Sequence, residues 1–391
     1  MSSIIKIPFG PQHPAFKEPE NFMFKVDGEY VVDVTPRIGY AHRGIEKALE
    51  ARTYIQDLYL IERICGICSH AHTTCYTQAV EEALKVDVPP RAKYIRTIVT
   101  ELERIHNHYF WLGIVAHEIG FETLFMYTWR DREIVMDLLE LLSGNRVQYA
   151  MNMIGGVRRD ITPEISSEIM KGVKVLGERM KYYKKTCSNE RTILTRSVNI
   201  GILKTKDAIA LCAVGPTVRA SNVKRDVRAD DPYAAYDEIP FHVVTYDGCD
   251  VASRIATRCD EVVESVEIIR YALEHLPTGS IEVIVSRLVP PAEIVSRVEA
   301  PRGENIHYLR SNGTDKPARY KVRAPTLANL TALCKMLIGG YIADIPVVIA
   351  GIDPCFCCMD RLTFVNIKND KTWAWEGEKL RGYGIKWYKK Q

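Results

Sequence analysis

The sequence predicts an α+β fold that is predominantly helical, with a central body of long helices and small β elements at the N- and C-terminal ends. Three observations predict it. Apolar residues recur at three- and four-residue spacing through the middle of the chain, as in Leu124–Leu142. Helix start and stop signals bracket such runs. Alternating or β-branched stretches are confined to the flanks.

In chain order, residues 1–36 alternate loosely (Phe22, Phe24, Val26, then Tyr30, Val31, Val32) around Asp27-Gly28, a turn pair suited to a β-hairpin. From Ile38 to Leu194 the pattern is mainly helical, and the Leu124–Leu142 helix should stop at Ser143-Gly144-Asn145. Another helix should start at Thr162-Pro163-Glu164, where an N-cap, a first-turn proline and an acidic residue coincide. A third is expected from Asp250 to about His275, before Pro277-Thr278-Gly279. The β-branched stretch Ser280–Arg287 reads as a strand, Ala300–Pro317 as a Gly- and charge-rich loop, Tyr320–Arg323 as a strand, and a helix opens near Thr326. Val347-Val348-Ile349-Ala350 reads as a buried strand that delivers the chain to Asp353.

With 391 residues the chain can bury a sizeable core, and 47% hydrophobic with 26% charged residues is the balance of a soluble globular protein. A formal net charge of +3 gives no case for nucleic-acid binding, which wants a concentrated basic patch. The opening residues Met1 to Lys6 carry no apolar export core, and the apolar stretch Met336–Ile352 is interrupted by Asp344 and Pro346. Membrane attachment is therefore expected to come through a partner. Eleven cysteines without an export signal argue against a disulfide framework and for metal or redox chemistry.

Four of those cysteines form two Cys-x-x-Cys pairs. The first lies in Glu62-Arg63-Ile64-Cys65-Gly66-Ile67-Cys68-Ser69-His70-Ala71-His72, the second in Asp353-Pro354-Cys355-Phe356-Cys357-Cys358-Met359-Asp360-Arg361. Each short turn can place two thiolates on one metal, and thiolates select soft ions over magnesium or calcium. On spacing alone, a structural zinc site and a reactive metal centre are both open. Two features favour the second: the pairs stand 290 positions apart, whereas structural zinc ligands cluster locally. Their flanks are also polar, with Arg63, His72, Asp353 and Arg361 placed to hydrogen-bond and tune a metal.

The Arg-x-Cys-Gly-x-Cys-x-x-x-His and Asp-Pro-Cys-x-x-Cys-x-x-Arg elements resemble the paired signatures of nickel–iron hydrogenase large subunits. The resemblance implies a nickel–iron centre whose iron carries one carbon monoxide and two cyanides. Cys65 and Cys355 would be terminal nickel ligands, while Cys68 and Cys358 would bridge to iron; Cys355 would be the thiolate that takes the proton, and Cys357 has no role in that scheme. Gly10-Pro-Gln-His-Pro-Ala15, Ile38 to Lys47, Gly215-Pro-Thr-Val-Arg-Ala220 with Arg225-Asp226, and Pro232 to Asp237 resemble the quinone-site large subunit of respiratory complex I. Complex I subunits of this type have lost the cysteines. The combination resembles the membrane-bound, energy-converting hydrogenases, including formate hydrogenlyase, carbon-monoxide-induced and archaeal ferredoxin-linked enzymes.

Further roles follow from the same resemblance. Arg302, after Pro301, would hang over the metal pocket with Asp353 offsetting its charge. His72 would hydrogen-bond a bridging thiolate, and Glu18 takes the place of the proton-gating glutamate, with Glu20 as the alternative. Glu46 matches the position that holds a second ion, magnesium or iron, in branches ending in histidine where this chain has Arg361. Asn107 replaces an aspartate near the pocket, and Cys75 a small residue. His70, His106 and His108 read as packing histidines rather than a zinc site.

The domain expectation is a single unit over residues 1–361, with a β-rich part at 1–36 and a helical body with the C-terminal ligand motif at 37–361. Residues 362–391, with Trp373, Trp375 and Trp387, would be an extension that a maturation endopeptidase removes after Arg361. The chain has no remaining cysteine set spaced for an iron–sulfur cluster. The resemblance therefore implies a small subunit with a proximal four-iron, four-sulfur cluster, antiporter-like membrane subunits, and ferredoxin or another electron carrier. The location implied is cytoplasmic, peripheral on the inner face of the membrane. Two alternatives stay open: a complex-I-like quinone- or sulfur-reducing subunit, and an assembly protein with a structural zinc.

Overall fold

A three-stranded antiparallel sheet opens the chain in this computed structural model, which describes residues 4–359, 361, 362, 364–366, 368, 371–373, 375 and 377–389. Strands β1 (Ile5–Phe9), β2 (Asn21–Asp27) and β3 (Tyr30–Arg37) run in sequence order, and the β2–β3 turn falls at the expected Asp27-Gly28. Phe22, Phe24, Val26, Val31 and Val34 face inward, the period-two burial of a sheet covered on one side.

The helical body follows: α1 (Ile45–Leu49), α2 (Tyr54–Glu62), α3 (Ser69–Leu84), α4 (Pro90–Ile119) and α5 (Glu122–Ser143). Helix α4 is buried on nearly every side, so its polar residues must find partners inside the protein. The two-residue strands β4 (Asn152–Met153) and β5 (Gly156–Val157) pair ahead of α6 (Pro163–Asn189), which Thr162 caps by accepting the Ile165 N–H. Short helices α7 (Arg191–Thr195), α8 (Thr205–Ala210), α9 (Pro216–Arg219) and α10 (Val227–Asp230) lead to α11 (Val251–Glu274), capped by Asp250. Helices α3, α4, α5, α6 and α11 share the main hydrophobic core.

A second antiparallel sheet, β6 (Glu293–Ala300), β7 (Gly303–Arg310) and β8 (Arg319–Arg323), lies on α3. After it come α12 (Pro325–Leu337), α13 (Ile345–Gly351) and the single-turn helix Phe356–Cys358. The tail forms a hairpin, β9 (Phe364–Asn366) with β10 (Lys371–Trp373), and α14 (Gly377–Tyr388). Its aromatic contacts include Trp375 against Trp373 and Tyr383. Among the described residues no helix is long and apolar enough to cross a membrane.

Three local expectations are corrected. Val347–Ala350 is helical, because Pro346 occupies the first turn of α13 and the run is buried against α4, α11 and α12. A short buried apolar run carries no period that separates helix from strand. Ser280–Arg287 forms no named strand and makes one bridge, Glu282 to Gly156. Its Ile284 stands fully exposed, so strand propensity alone found no ladder to join. Within Ala300–Pro317, residues 303–310 form β7; Glu304 and His307 are buried on it, and buried polar residues hide the alternation a strand would show.

The Gly215-Pro-Thr-Val-Arg-Ala220 motif now has a physical basis. Gly215 (φ 70°) lies against the β6–β7 turn, where an added Cβ would stand 2.4 Å from the Arg302 carbonyl oxygen. Arg219 is fully buried and pairs with Glu261 (2.8 Å) and Glu299 (2.7 Å); Arg228 pairs with Asp226 (2.7 Å) and Glu101 (3.1 Å). These pairs tie α4, α9, α10, α11 and β6 together. Gly215→Ala is expected to destabilise by about 1–3 kcal/mol through overpacking, read as a lower urea midpoint at unchanged slope.

Candidate metal centre

Cys65 and Cys68 sit in the turn between α2 and α3, and Cys355 and Cys358 in the turn after α13. Each loop is fixed by its own backbone. The Ile67 N–H donates to Cys65 Sγ (3.2 Å), and the Cys355 N–H donates to Thr326 Oγ1 at the start of α12 (2.9 Å). Cys68 ends the turn as the residue preceding α3, whose first N–H groups, from His70 and Ala71, donate to buried Glu103 on α4 (2.6 and 3.0 Å). That carboxyl substitutes for the missing helical acceptors. Arg43 stitches the loops together, donating to the carbonyls of Arg63 (2.9 Å), Ile64 (2.6 Å) and Cys357 (3.0 Å).

The result is one cluster from opposite ends of the sequence. The four sulfurs lie within 4.8 Å of one another, and all four residues are buried. Cys65 and Cys355 Sγ are 3.3 Å apart, Cys68 and Cys358 3.8 Å, and Cys355 and Cys358 3.0 Å. These exceed the roughly 2.05 Å of a disulfide. They approach the spacing of roughly 3.7 Å that four thiolates take around an ion with metal–sulfur bonds near 2.3 Å. Hydrogen bonding among the sulfurs holds Cys65 well below the usual thiol range and pushes Cys358 well above it. A bound cation would supply the charge that lets all four ionise together.

Arg302 sits over this cluster in the β6–β7 turn after Pro301. Its Nη2 meets Asp353 Oδ1 at 2.9 Å and its Nε donates to the Asp353 carbonyl at 2.8 Å, with both side chains buried. Asp353 holds φ at 56°, the left-handed conformation that costs most residues energy. Arg302 Nη1 and Asp353 Oδ2 are buried without a hydrogen-bond partner, and the sulfurs help keep the guanidinium charged. An unpaired buried donor beside a thiolate cluster fits a bound group that carries acceptor atoms. A bare four-sulfur zinc would leave that donor unused.

His72 Nε2 is 3.5 Å from Cys358 Sγ, and burial pushes its pKa down to about 4, so the ring is neutral at pH 7. Glu18, half-buried, accepts the Cys357 N–H (2.9 Å) and places Oε1 3.9 Å from Cys355 Sγ. Glu20 lies buried against the Asn21 backbone instead, and burial raises its pKa to about 7. Cys357 Sγ is 3.3 Å from Cys355 Sγ and, with Glu18, completes a second group able to hold a metal.

Other expected positions lie elsewhere. Arg63 points outward, bonded to Glu62 and the Tyr59 carbonyl, because the last turn of α2 directs it away from the sulfurs. Glu46 does not present a vacant ligand set. Its oxygens accept from Lys321 (2.7 Å), the Val322 N–H (2.9 Å) and Arg361 (2.8 Å). Asn107 is fully buried on α4, and Cys75 donates to the Ser296 carbonyl (3.3 Å). Both ring nitrogens of His70 have partners, the Arg96 carbonyl and Asn152, whereas His106 and His108 each bond through Nε2 alone, to Arg132 and Glu261, with Nδ1 buried and without a partner. Sequence reasoning missed Arg43, Glu103, Asn305, His307 and Tyr320. Arg43 alone left a signal, since it lies in the Ala41-His42-Arg43-Gly44 run.

Comparison with known proteins identifies the family. The family profile described as respiratory-chain NADH dehydrogenase, 49 kDa subunit, matches residues 118–292 and 283–361, and the nickel-dependent hydrogenase profile matches residues 43–113. The chain is 42% identical to the membrane-bound hydrogenase subunit alpha of Pyrococcus furiosus, over 92% of this chain and 88% of that protein. It is 38% identical to formate hydrogenlyase subunit 5 of Escherichia coli, over 97% of this chain and 67% of that protein. An NADH-quinone oxidoreductase subunit of Rhizobium meliloti is 35% identical, over 90% of this chain and 94% of that protein. A solved chain of the membrane-bound sulfane sulfur reductase, an archaeal respiratory membrane complex, superposes with a TM-score of 0.87 at 32% identity, covering 92% of this chain and 98% of that one. This chain therefore belongs to the family of the respiratory-chain NADH dehydrogenase 49 kDa subunit, which it shares with the large subunits of membrane-bound nickel–iron hydrogenases.

Proposed function

We propose that this chain is the catalytic large subunit of a membrane-bound, energy-converting nickel–iron hydrogenase that interconverts H2 with protons and electrons. The observation that carries the reading is the convergence of four buried cysteine sulfurs beneath the Arg302–Asp353 pair. Cys65 and Cys355 would hold nickel, and Cys68 and Cys358 would hold nickel and iron. The bound nickel–iron group, with carbon monoxide and cyanide on iron, would supply the two-electron chemistry. Around it, Arg302 offers its unpaired Nη1 to acceptor atoms of the group, and Asp353 balances its charge. Cys355 Sγ takes the proton, and Glu18 stands next to it with a half-buried carboxylate that can carry the proton outward.

Electrons leave through a partner small subunit with a four-iron, four-sulfur cluster, and antiporter-like membrane subunits and ferredoxin or another carrier complete the assembly. Similarity to subunits of membrane respiratory complexes supports such partners. The Glu46 clasp argues against a magnesium or iron ion at that position. Arg361, at the cleavage position, is one side of that clasp, so the cut would fall just beyond an anchored residue. Active enzyme is expected to lack Leu362–Gln391; an intact mass that still includes them would show that the tail is a permanent part of the subunit.

A second reading, a quinone- or sulfur-reducing subunit without hydrogenase activity, is favoured by the similarity to the sulfane sulfur reductase and to the NADH-quinone oxidoreductase subunit. Metal content and infrared spectra of the purified complex separate them. One nickel, at least one iron, and bands of iron-bound carbon monoxide and cyanide are expected. Zinc alone would make the centre structural, and neither metal would leave the quinone- or sulfur-reducing reading.

A further inference from the structure

Beyond His72, a line of buried groups continues away from the metal centre. His72 Nδ1 lies 3.1 Å from His307 Nε2, and His307 Nδ1 lies 2.6 Å from the hydroxyl of Tyr320. Asn305, two residues before His307 and so on the same face of β7, places its Nδ2 3.2 Å from His307 Nε2 and 3.4 Å from His72 Nδ1. All four residues are buried. The line thus runs Cys358, His72, His307, Tyr320, from the second cysteine loop through α3 and β7 to β8.

Both ends of this line impose the same direction. His72 Nδ1 and His307 Nε2 face each other at hydrogen-bond distance, so one carries the hydrogen and the other a lone pair. At the far end, the Tyr320 hydroxyl meets the His307 ring. If that hydroxyl accepted, its own hydrogen would be left buried without an acceptor, at a cost of about 1–3 kcal/mol. It therefore donates to His307 Nδ1, which puts the ring proton on Nε2. His307 Nε2–H then donates to His72 Nδ1, which puts the His72 proton on Nε2, facing Cys358. At the near end a metal-bound thiolate can only accept. The Asn305 Oδ1 atom, without a partner in this orientation, would accept from His307 Nε2–H if the amide were turned over.

We propose that Tyr320 and His307 are positioning residues that set the tautomer of His72, so that its Nε2–H, and not a lone pair, faces the Cys358 sulfur. This rests on the reading of the four cysteines as a metal centre. Its consequence is electronic: a hydrogen bond withdraws density from the sulfur that would bridge the two metals, making that thiolate a weaker donor. The opposite tautomers would turn a lone pair of His72 toward a sulfur that, when metal-bound, has no hydrogen to offer. The relay thus favours the loaded centre.

The test uses the full chain with cobalt(II) as the probe of the four-cysteine site. Removing the hydroxyl with Tyr320→Phe is expected to move the thiolate-to-cobalt charge-transfer band to longer wavelength, because an unbonded thiolate gives up electrons more easily. His307→Gln is expected to move it the same way. Tyr76→Phe is the packing control: that ring lies 5.5 Å from Tyr320, but its hydroxyl donates to the Tyr54 carbonyl, outside the relay. An unmoved band in Tyr320→Phe, an equal shift in Tyr76→Phe, or loss of cobalt uptake in both relay variants would overturn the assignment. In the native complex the same variants should lower the carbon monoxide and cyanide frequencies. A cobalt shift without such bands in the wild type would sink the hydrogenase reading while leaving the tautomer assignment standing.

Discussion

Replacing Cys355 with serine should abolish H2 turnover and leave the purified complex with little nickel. Even partners that only orient a ligand typically change metal affinity by about 10–100-fold, so loss of a ligating sulfur should exceed that range. A serine hydroxyl is neither a soft donor nor ionised at neutral pH. Nickel by mass spectrometry and H2-dependent dye reduction are the two measurements. Cys357→Ser is the matched comparison, since that sulfur lies 3.3 Å from Cys355 but outside the four-sulfur group. It should retain nickel and most activity. Equal losses in the two variants would mean that Cys357 is a ligand and that the four-cysteine assignment is wrong.

Arg302→Lys should lower turnover by roughly a hundred- to a thousand-fold, the range seen when one preorganised donor is removed from a reacting centre, while nickel and iron stay bound. Lysine keeps a charge but not the fork that pairs with Asp353, holds the Asp353 carbonyl and still leaves Nη1 free. Asp353→Asn separates charge from backbone strain, because asparagine tolerates the left-handed conformation at φ 56°. It should destabilise by about 3–5 kcal/mol, the cost of leaving a buried guanidinium uncompensated. Unchanged stability in Asp353→Asn would mean that the charge is balanced by other groups. Unchanged turnover in Arg302→Lys would reduce Arg302 to a structural role.

The long helices were legible because their cause is local. Thr162-Pro163-Glu164 and Asp250 are caps whose side chains bond within the first turn, and the structure begins α6 and α11 there. The cysteine pairs were legible for the same reason, since a Cys-x-x-Cys turn positions its own sulfurs. Misreadings fell where partners decide. Val347–Ala350 became a helix by burial, Ser280–Arg287 stayed without a strand partner, and β7 was masked by the polar residues it turns inward. Arg63 and Glu46 show the limit for side chains: flanking a motif fixed their place in the chain but not where they point.

By itself, the sequence determined that this is a mainly helical protein, that two distant cysteine pairs are built for a soft metal, and that its motifs are those of the 49 kDa and hydrogenase large-subunit family. The first two follow from short-range spacing and residue types, the third from resemblance to a known family. The tertiary structure alone decided that the pairs meet, that Arg302 and Asp353 lock above them, that Arg361 and Lys321 both bond Glu46, and that Tyr320 reaches Cys358 through two histidines. Such contacts join residues up to 315 positions apart, and the direction of each buried hydrogen bond depends on whichever donor or acceptor the fold leaves beside it.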